Sequence, residues 1–257
     1  MPVKLYHKES GEGKPFVFLH GLFGSSINWN SISQYFNKDY KVFLIDQRNH
    51  GRSPHDSGHD YDLMSEDLNG FFIDHDIDRA VVLGHSMGGK TAMRFAAKYP
   101  GKVSRLIVVD ISPGAYTFKD ENVLKGMLEL TAEQLLSRAS ADEAICKYIP
   151  DLGVRQFILQ NLYWNEQKKL QWRLNIKAIG ENVMNVGSEI DMNVPFKGPS
   201  LFVKGGNSDY IQAEDHAIIE EKFPNSTIET IAGAGHWIHS DKPLDFVRVV
   251  SKFLKDE

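Results

Sequence analysis

Short apolar runs alternate with amphipathic stretches over residues 1–112 of the chain. The runs are rich in β-branched residues and carry few polar interruptions, which is typical of parallel strands covered on both faces. They lie at residues 16–20, 42–46, 80–85 and 104–110. Between them, helical spacing predicts helices over about residues 26–37, 60–75 and 87–99. This alternation predicts a parallel sheet whose strands are joined by right-handed helical crossovers.

The alternation breaks after Pro113. Residues 114–195 contain helical patterns, at 121–130, 131–149 and 153–164, and no convincing strand. The alternation then returns, with strands at 200–206 and 226–233, a helix at about 213–223 and a last helix from Pro243. A helical insertion of this kind predicts a cap over an α/β sheet. We therefore expect a core of residues 1–113 and 196–257, with a small helical cap of residues 114–195 inserted after the sixth strand.

The composition narrows the class of protein. With 257 residues, of which 42% are hydrophobic and 25% charged, the chain can form one globular domain with a sizeable core. The formal net charge of -5, with both signs interspersed, offers no basic stripe to a nucleic acid. No apolar stretch approaches the roughly 18 residues of a membrane span, and the polar N-terminus lacks a signal-peptide core. Cys146 is the single cysteine, so we expect a cytoplasmic protein without disulfides.

The segment Gly84-His85-Ser86-Met87-Gly88 joins a predicted strand to a predicted helix. It matches the Gly-x-Ser-x-Gly pattern of a nucleophile elbow, in which the serine sits on a strained turn. Small residues are needed on both sides of that turn because the strand and the helix approach closely. A glycine-rich connection with an incidental serine would explain the backbone but not the rest of the pattern. We therefore predict that Ser86 is a nucleophile.

A serine hydroxyl needs a base near neutral pH, usually an imidazole held in one tautomer by a carboxylate. His236 follows the last predicted strand on a loop of small residues, which would carry it over the strand ends to Ser86. His239 belongs to the next turn and is predicted to be structural. His85 should point away from Ser86, and His20 is better explained as a hydrogen-bonded scaffold residue. His236 is therefore the predicted base.

The reaction also needs hydrogen-bond donors for a developing oxyanion. In nucleophile-elbow folds one donor is the backbone N–H that follows the serine, which here belongs to Met87. The other donor comes from the loop after an early strand, and LHGLFGSS at residues 19–26 is that loop. Its His-Gly turn favours the N–H of Leu22, with the N–H of Phe23 as second choice.

Two carboxylates compete for the acid of the triad. Asp110 ends the strand at 104–110, and Asp209 follows the strand at 200–206. Adjacent strands are only about 4.8 Å apart, and the loop of His236 lies over both strand ends, so sheet geometry excludes neither aspartate. Both also keep the chain order serine, acid, histidine. The residues by themselves leave both candidates open.

The motifs together resemble the α/β-hydrolase superfamily, and within it the YbfF-type esterases. The resemblance is carried, in order and spacing, by HGLFGS, DQRNHGRSP, LGHSMGGK, VVDISP, GGNSDYI and GAGHWIH, and it is weakest over residues 114–195. It implies an eight-stranded, mostly parallel sheet with helices on both faces, a small helical cap and no cofactor. It implies hydrolysis of small-molecule carboxylic esters and extends to acyl-CoA thioesters. It favours Asp110 as the acid, with Asp209 as a loop-capping carboxylate or backup orienter of His236.

Aromatic residues are frequent in the predicted cap. As a set they are placed to wall an apolar acyl pocket over Ser86, although any single one could belong to the cap's own core. The predicted pocket residues are Phe23, Tyr116, Phe118, Tyr163 and Trp164, and Phe157 and Trp172 belong to the same aromatic set. We expect a preference for short to medium acyl chains, because each buried methylene contributes up to about 0.8 kcal/mol until the pocket is filled.

Other functions share these residues, because a fold does not determine a substrate. Ser86 excludes the aspartate chemistry of dehalogenases and epoxide hydrolases, and no HExxH or Cys/His spacing indicates a metal site. A C–C bond hydrolase or a perhydrolase would use the same triad. A ligand receptor that keeps the triad but signals through its cap is the alternative from another class. Such a receptor would turn over short p-nitrophenyl esters slowly or not at all.

Overall fold

The computed structural model describes residues 1–119 and 121–255, and within these residues seven strands form the central sheet. In chain order the strands are β1 (His7–Ser10), β2 (Lys14–Leu19), β3 (Tyr40–Ile45), β4 (Ala80–His85), β5 (Val103–Val109), β6 (Leu162–Trp164), β7 (Leu170–Trp172), β8 (Ser200–Gly205) and β9 (Ser226–Ile231). The order across the sheet is β1-β3-β2-β4-β5-β8-β9, and β6 pairs with β7 separately. Strand β1 runs antiparallel to β3, whereas the other neighbours in the sheet are parallel.

The mostly parallel sheet is confirmed, but the described residues form seven of its strands and not the expected eight. Before β1, two backbone N–H groups donate to side chains instead of to a further strand. Val3 N–H donates to Asp67 Oδ1 at 2.7 Å, and Tyr6 N–H donates to Ser53 Oγ at 2.8 Å. As a result, residues 114–195 follow the fifth strand in chain order, β5, and not a sixth.

Helices connect the strands and lie against both faces of the sheet. The α-helices are α1 (Asn30–Ser33), α2 (Tyr61–Asp74), α3 (Met87–Lys98), α4 (Glu121–Leu128), α5 (Arg138–Ile145), α6 (Leu152–Leu159), α7 (Ile176–Glu181), α8 (Val183–Val186), α9 (Asp215–Lys222), α10 (Ile238–Asp241) and α11 (Pro243–Lys255). Short 3₁₀ helices lie at Ser26–Trp29, Pro100–Lys102 and Gln134–Leu136. Helix α2 begins after Asp60, whose side chain accepts a hydrogen bond from Leu63 N–H at 2.8 Å and so caps the helix.

Apolar side chains form a separate core on each face of the sheet. One core contains Phe72 of α2 and Phe95 of α3. The other contains Phe18 of β2, Trp29 and Phe246 of α11. Each of these five side chains is 0% exposed. Because the sheet is covered on both faces, its strands consist of nearly continuous apolar runs.

Residues 114–195, called the helical segment below, form a third core, into which Phe23 packs from the loop after β2. The expected helices at 121–130 and 131–149 correspond in part to α4 and α5, but the helix expected at 153–164 ends at Leu159. The hairpin β6–β7 follows it, so the expectation of no strand here is wrong. Its turn contains Lys168 with φ 55°, and Asn165 Oδ1 accepts the N–H of Lys169 at 2.8 Å.

Candidate active site

Ser86 lies on the turn between β4 and α3 with a strained backbone. Its φ of 51° and ψ of -118° are outside the regions that residues with a side chain normally adopt. A hydrogen bond from Ser86 N–H to Val109 O, at 3.0 Å, holds the turn against the neighbouring strand. A Cβ atom on Gly84 would lie 2.0 Å from Gly88 O, and one on Gly88 would lie 2.6 Å from His20 O. Close packing therefore requires glycine on both sides of the serine.

Asp110 and His236 form a hydrogen-bonded pair beside this turn. The Asp110 side chain is 0% exposed, and its Oδ2 lies 2.7 Å from His236 Nδ1. The same carboxylate accepts hydrogen bonds from Gly205 N–H, at 2.9 Å, and from the Ser208 hydroxyl. A buried carboxylate needs such donors to offset the loss of water. Because an ionised carboxylate only accepts, Nδ1 carries the imidazole proton, and Nε2 is left as an acceptor.

Asp209 has a different environment from Asp110. Its side chain is 64% exposed and forms an ion pair with Lys119. The hydrogen bond from Lys119 holds the pKa of Asp209 below its usual value. The structure therefore pairs His236 with Asp110, while Asp209 pairs with a lysine at the surface.

The predicted oxyanion donors lie at the start of α3 and in the loop after β2. Met87 is the first residue of α3, so its N–H points out of the helix without an intrahelical acceptor. Leu22 lines the same cavity as Ser86. Phe23 has φ 59°, and its N–H donates to His50 Nε2 at 3.1 Å. The N–H of Phe23, the second choice for an oxyanion donor, is therefore already used. No hydrogen bond among the described residues uses the N–H of Leu22 or Met87.

Three other histidines surround the site as neutral groups. Burial lowers the pKa of His20 and His85, and it lowers that of His239 to about 3. His20 Nε2 accepts the N–H of Gln47 at 3.0 Å, and His85 Nε2 donates to the carbonyl oxygen of His236 at 2.9 Å. The contacts of His20 and His85 are those of scaffold residues, because they join neighbouring loops.

Ser86 and His236 line one cavity of about 100 Å³. Its walls come from the loops after β2, β4, β8 and β9 and from the helical segment. Of the predicted pocket residues, Phe23 and Tyr116 line the cavity, as does Phe157 from the same aromatic set. The walls are mainly apolar, so the cavity suits the hydrocarbon part of a small molecule.

Phe118, Tyr163 and Trp164 do not line this cavity, which corrects their prediction as pocket residues. Phe118 is 9% exposed and packs in the core of the helical segment. Tyr163 and Trp164 belong to β6, where the Tyr163 hydroxyl accepts a hydrogen bond from Gln171 and Trp164 is 54% exposed. The hairpin thus directs these two side chains to its own contacts and to solvent.

Ser208, Tyr210 and Trp237 belong to the site but were not predicted. Ser208 donates to Asp110, and the Tyr210 ring stacks on His236 with 4.0 Å between centroids and 27° between planes. Trp237 lines the cavity directly after His236 in the chain. Ser208 and Tyr210 lie on either side of Asp209 in the motif GGNSDYI. The sequence identified Asp209 as a candidate, but its two neighbours contact Asp110 and His236. That loop follows β8, at the same sheet edge as Asp110.

Two structural features are absent from residues 1–119 and 121–255. No cluster of three or more His, Cys, Asp or Glu side chains there is arranged to hold a metal ion. None of the helices in this part of the chain is both long and apolar enough to cross a membrane.

Residues 14–145 match the family described as alpha/beta hydrolase fold, and the chain belongs to this family. One relative is sn-1-specific diacylglycerol lipase ABHD11 of Mus musculus, 39% identical over 247 residues that cover 93% of this chain and 80% of the relative. Esterase YbfF of Escherichia coli (strain K12) is 32% identical over 245 residues, covering 94% of this chain and 93% of the relative. The resemblance to the YbfF-type esterases is thereby confirmed.

A solved structure shows the same fold over nearly the whole chain. It is titled Marine microorganism esterase and is 38% identical in sequence, with a TM-score of 0.95. The match covers 98% of this chain and 99% of that one.

Proposed function

We propose that this protein is a serine-dependent carboxylic ester hydrolase with an acyl-enzyme intermediate. Ser86 is the nucleophile, His236 the general base and acid, and Asp110 the residue that orients His236. The observation that carries the proposal is the 2.7 Å hydrogen bond between His236 Nδ1 and Asp110, on the wall of the cavity that Ser86 lines. Relatives named as an esterase and a lipase support the same class of reaction.

In the acylation step, Ser86 Oγ attacks the carbonyl carbon of the ester and transfers its proton to His236 Nε2. The carbonyl oxygen becomes an oxyanion, to which the N–H groups of Leu22 and Met87 donate. The bond to the alcohol oxygen then breaks. That oxygen takes the proton from His236 and leaves as the alcohol, while the acyl group stays on Ser86.

In the deacylation step, a water molecule gives a proton to His236 Nε2 and attacks the acyl carbon. The same two N–H groups stabilise the second oxyanion. Ser86 Oγ leaves and recovers its proton from His236, and the carboxylic acid is released. Asp110 stabilises the imidazolium of His236 in both steps, and its burial strengthens this interaction because few water dipoles screen it.

The acyl group is short to medium in length in this proposal. An apolar cavity of about 150 Å³ holds one benzene molecule, so the 100 Å³ beside Ser86 accommodates an acyl chain of a few carbons. Residues 114–195 act as the cap over the sheet edge, because Tyr116, Val154 and Phe157 of this segment form part of the cavity wall.

Turnover of p-nitrophenyl acetate and p-nitrophenyl butyrate by the purified protein tests the proposal. We expect many turnovers per molecule, and a loss of turnover in Ser86→Ala. Release of one equivalent or less per molecule would instead support a receptor that retains the triad. The same acyl transfer would also cleave a thioester, so the leaving group, and not the triad, separates esters from acyl-CoA substrates.

A further inference from the structure

The cavity of about 100 Å³ that Ser86 and His236 line is called the catalytic cavity below. A second, larger cavity of about 610 Å³ adjoins it and is called the outer groove. The two cavities share part of their walls, including Asn28, Val154 and His239. Phe157 and Trp237 also belong to both, with their ring centroids 5.6 Å apart. A molecule with one end at Ser86 and too long for the catalytic cavity would therefore extend into the outer groove.

The lining of the outer groove is more polar than that of the catalytic cavity, although Ile32, Phe157 and Trp237 form part of it, and its charged side chains are acidic. Its neutral polar side chains are Asn28, Ser31, Gln156, Gln160 and Ser240. Its charged side chains, among the described residues, are Asp151 and Asp241, and it includes no lysine or arginine. The described lining of the catalytic cavity likewise contains no lysine or arginine. A bound phosphate would therefore meet two carboxylates and no cation, whereas hydroxyl groups would find amide and hydroxyl partners.

We propose that the outer groove binds the leaving group and selects uncharged, hydroxyl-bearing alcohols over phosphate-bearing leaving groups such as coenzyme A. This inference rests on the proposed ester hydrolysis, in which the acyl half occupies the catalytic cavity. The leaving half then lies in the groove, since the catalytic cavity is too small for both halves.

Two substrates with the same acyl group test the selection. Monobutyrin carries glycerol as its leaving group, whereas butyryl-CoA carries several phosphate charges. We expect kcat/KM to favour monobutyrin. Gln156→Lys and Gln160→Lys place a cation in the groove at exposed positions. Each should raise kcat/KM for butyryl-CoA by about twofold to fivefold, and about 1 M salt, with a Debye length of about 3 Å, should abolish the gain.

Gln167→Lys is the matched control, because it adds the same charge to an exposed turn that lines neither cavity. An equal gain in this control, or no gain in the two groove variants, would overturn the subsite. Hydrolysis of p-nitrophenyl acetate separates the two proposals. If the wild-type protein cleaves p-nitrophenyl acetate in a Ser86-dependent way while the groove variants leave kcat/KM for butyryl-CoA unchanged, the groove inference alone fails. If it is not cleaved, the proposed ester hydrolysis fails as well.

Lys90 supports a second inference from a different part of the molecule. It is 0% exposed on α3, one turn after Ser86. Its ammonium group donates to Gly114 O, at 2.7 Å, and to Ser188 O. These carbonyls lie where the helical segment leaves the sheet and where it returns. The two connections also bond to each other, since Ile190 N–H donates to Pro113 O at 2.8 Å.

Aromatic rings connect Lys90 to the catalytic histidine. Its ammonium nitrogen lies 5.0 Å from the centroid of the Tyr116 ring, which lines the catalytic cavity. Tyr116 makes an edge contact with Tyr210 at 5.5 Å, and Tyr210 stacks on His236. Burial lowers the pKa of Lys90 to about 7. Both the ammonium and the neutral amine have enough N–H groups for the two carbonyls, so these hydrogen bonds survive deprotonation.

We infer that Lys90 is a positioning residue that holds both connections of the helical segment and thereby the wall of the acyl pocket. Lys90→Met should raise KM for p-nitrophenyl butyrate about threefold to tenfold and leave kcat within about twofold, with a smaller change in KM for the acetate ester. Lys102→Met is the control, since Lys102 donates to Asn69 on α2, outside these connections.

The positioning role would be overturned if Lys90→Met changed kcat and KM equally for both esters, or changed neither of them. Circular dichroism checks that the variant and the wild type have the same folded fraction. Lys90→Gln provides a second variant if the methionine variant does not fold, because its amide keeps a polar group in the site, while its nitrogen lies one bond nearer the backbone than Nζ and holds the two carbonyls less well, so KM for the butyrate ester should still rise. An unchanged KM for the butyrate ester in a folded Lys90→Gln protein, with Lys90→Met unfolded, would assign Lys90 to stability alone.

Discussion

Asp110→Asn tests the proposed triad most directly, because it keeps the shape of the side chain and removes its charge. In the structure this carboxylate is 0% exposed and accepts from Gly205 N–H, from the Ser208 hydroxyl and from His236 Nδ1. An asparagine has one oxygen, so its amide group must face one or more of these donors. The imidazole would then lose the acceptor that holds its proton on Nδ1, and the imidazolium would lose its counter-charge.

The expected loss in kcat is a factor of roughly 10⁴, which corresponds to about 5 kcal/mol in the activation free energy. An independent estimate has the same size. At a separation of about 4 Å and an effective dielectric constant of about 20, an imidazolium and a carboxylate attract by about 4 kcal/mol.

Asp209→Asn is the matched control, since this carboxylate is 64% exposed and paired with Lys119. Exposed ion pairs contribute about 0–1 kcal/mol, so kcat should fall by no more than about fivefold. Both variants are assayed with p-nitrophenyl acetate at matched purity, and circular dichroism checks that they are folded. The reverse ranking would refute the reasoning and assign the acid to Asp209. Two moderate losses would mean that the two carboxylates share the role.

Three further predictions concern the nucleophile, the pocket and the response to acid. Ser86→Ala should lower turnover by roughly four or more orders of magnitude without unfolding the protein, and ester hydrolysis that survives in a pure preparation would contradict the mechanism. Across p-nitrophenyl esters, kcat/KM should rise by up to about fourfold per methylene and then stop, whereas a flat profile would argue against an enclosed pocket. Burial lowers the pKa of His59 and of His239 to about 3. The unfolded chain binds protons at these histidines near pH 6.5, whereas the folded protein does so only near pH 3. The stability that the two neutral histidines contribute is therefore complete above pH 6.5 and is lost as the pH falls toward 3. For each histidine, the free energy of unfolding should therefore be about 2 kcal/mol lower at pH 5 than at pH 7. Urea unfolding of the wild type and of His239→Gln at both pH values measures this, and a difference between the two proteins that does not change with pH would contradict it.

The local features of this protein could be predicted from its sequence. The strained turn at Ser86 depends on residues next to it, because Gly84 and Gly88 remove the Cβ atoms that would collide there. The buried parallel strands are encoded in the same local way, by continuous apolar runs that suit a sheet covered on both faces. Such features depend on neighbours within a few positions along the chain, so a sequence pattern is enough to identify them.

The contacts of the candidate site depended on the tertiary structure. Asp110 and His236 are 126 positions apart, and Asp209 is nearer to His236 in sequence, yet the histidine contacts Asp110. The path of the loop after β8 turns Asp209 toward Lys119 and brings Ser208 and Tyr210 to the site instead. In the helical segment, the hairpin β6–β7 takes Tyr163 and Trp164 away from the pocket, while Phe157 on α6 lines it. These outcomes follow from how loops and helices pack across the whole chain, and the packing of distant residues is not contained in any local pattern of the sequence.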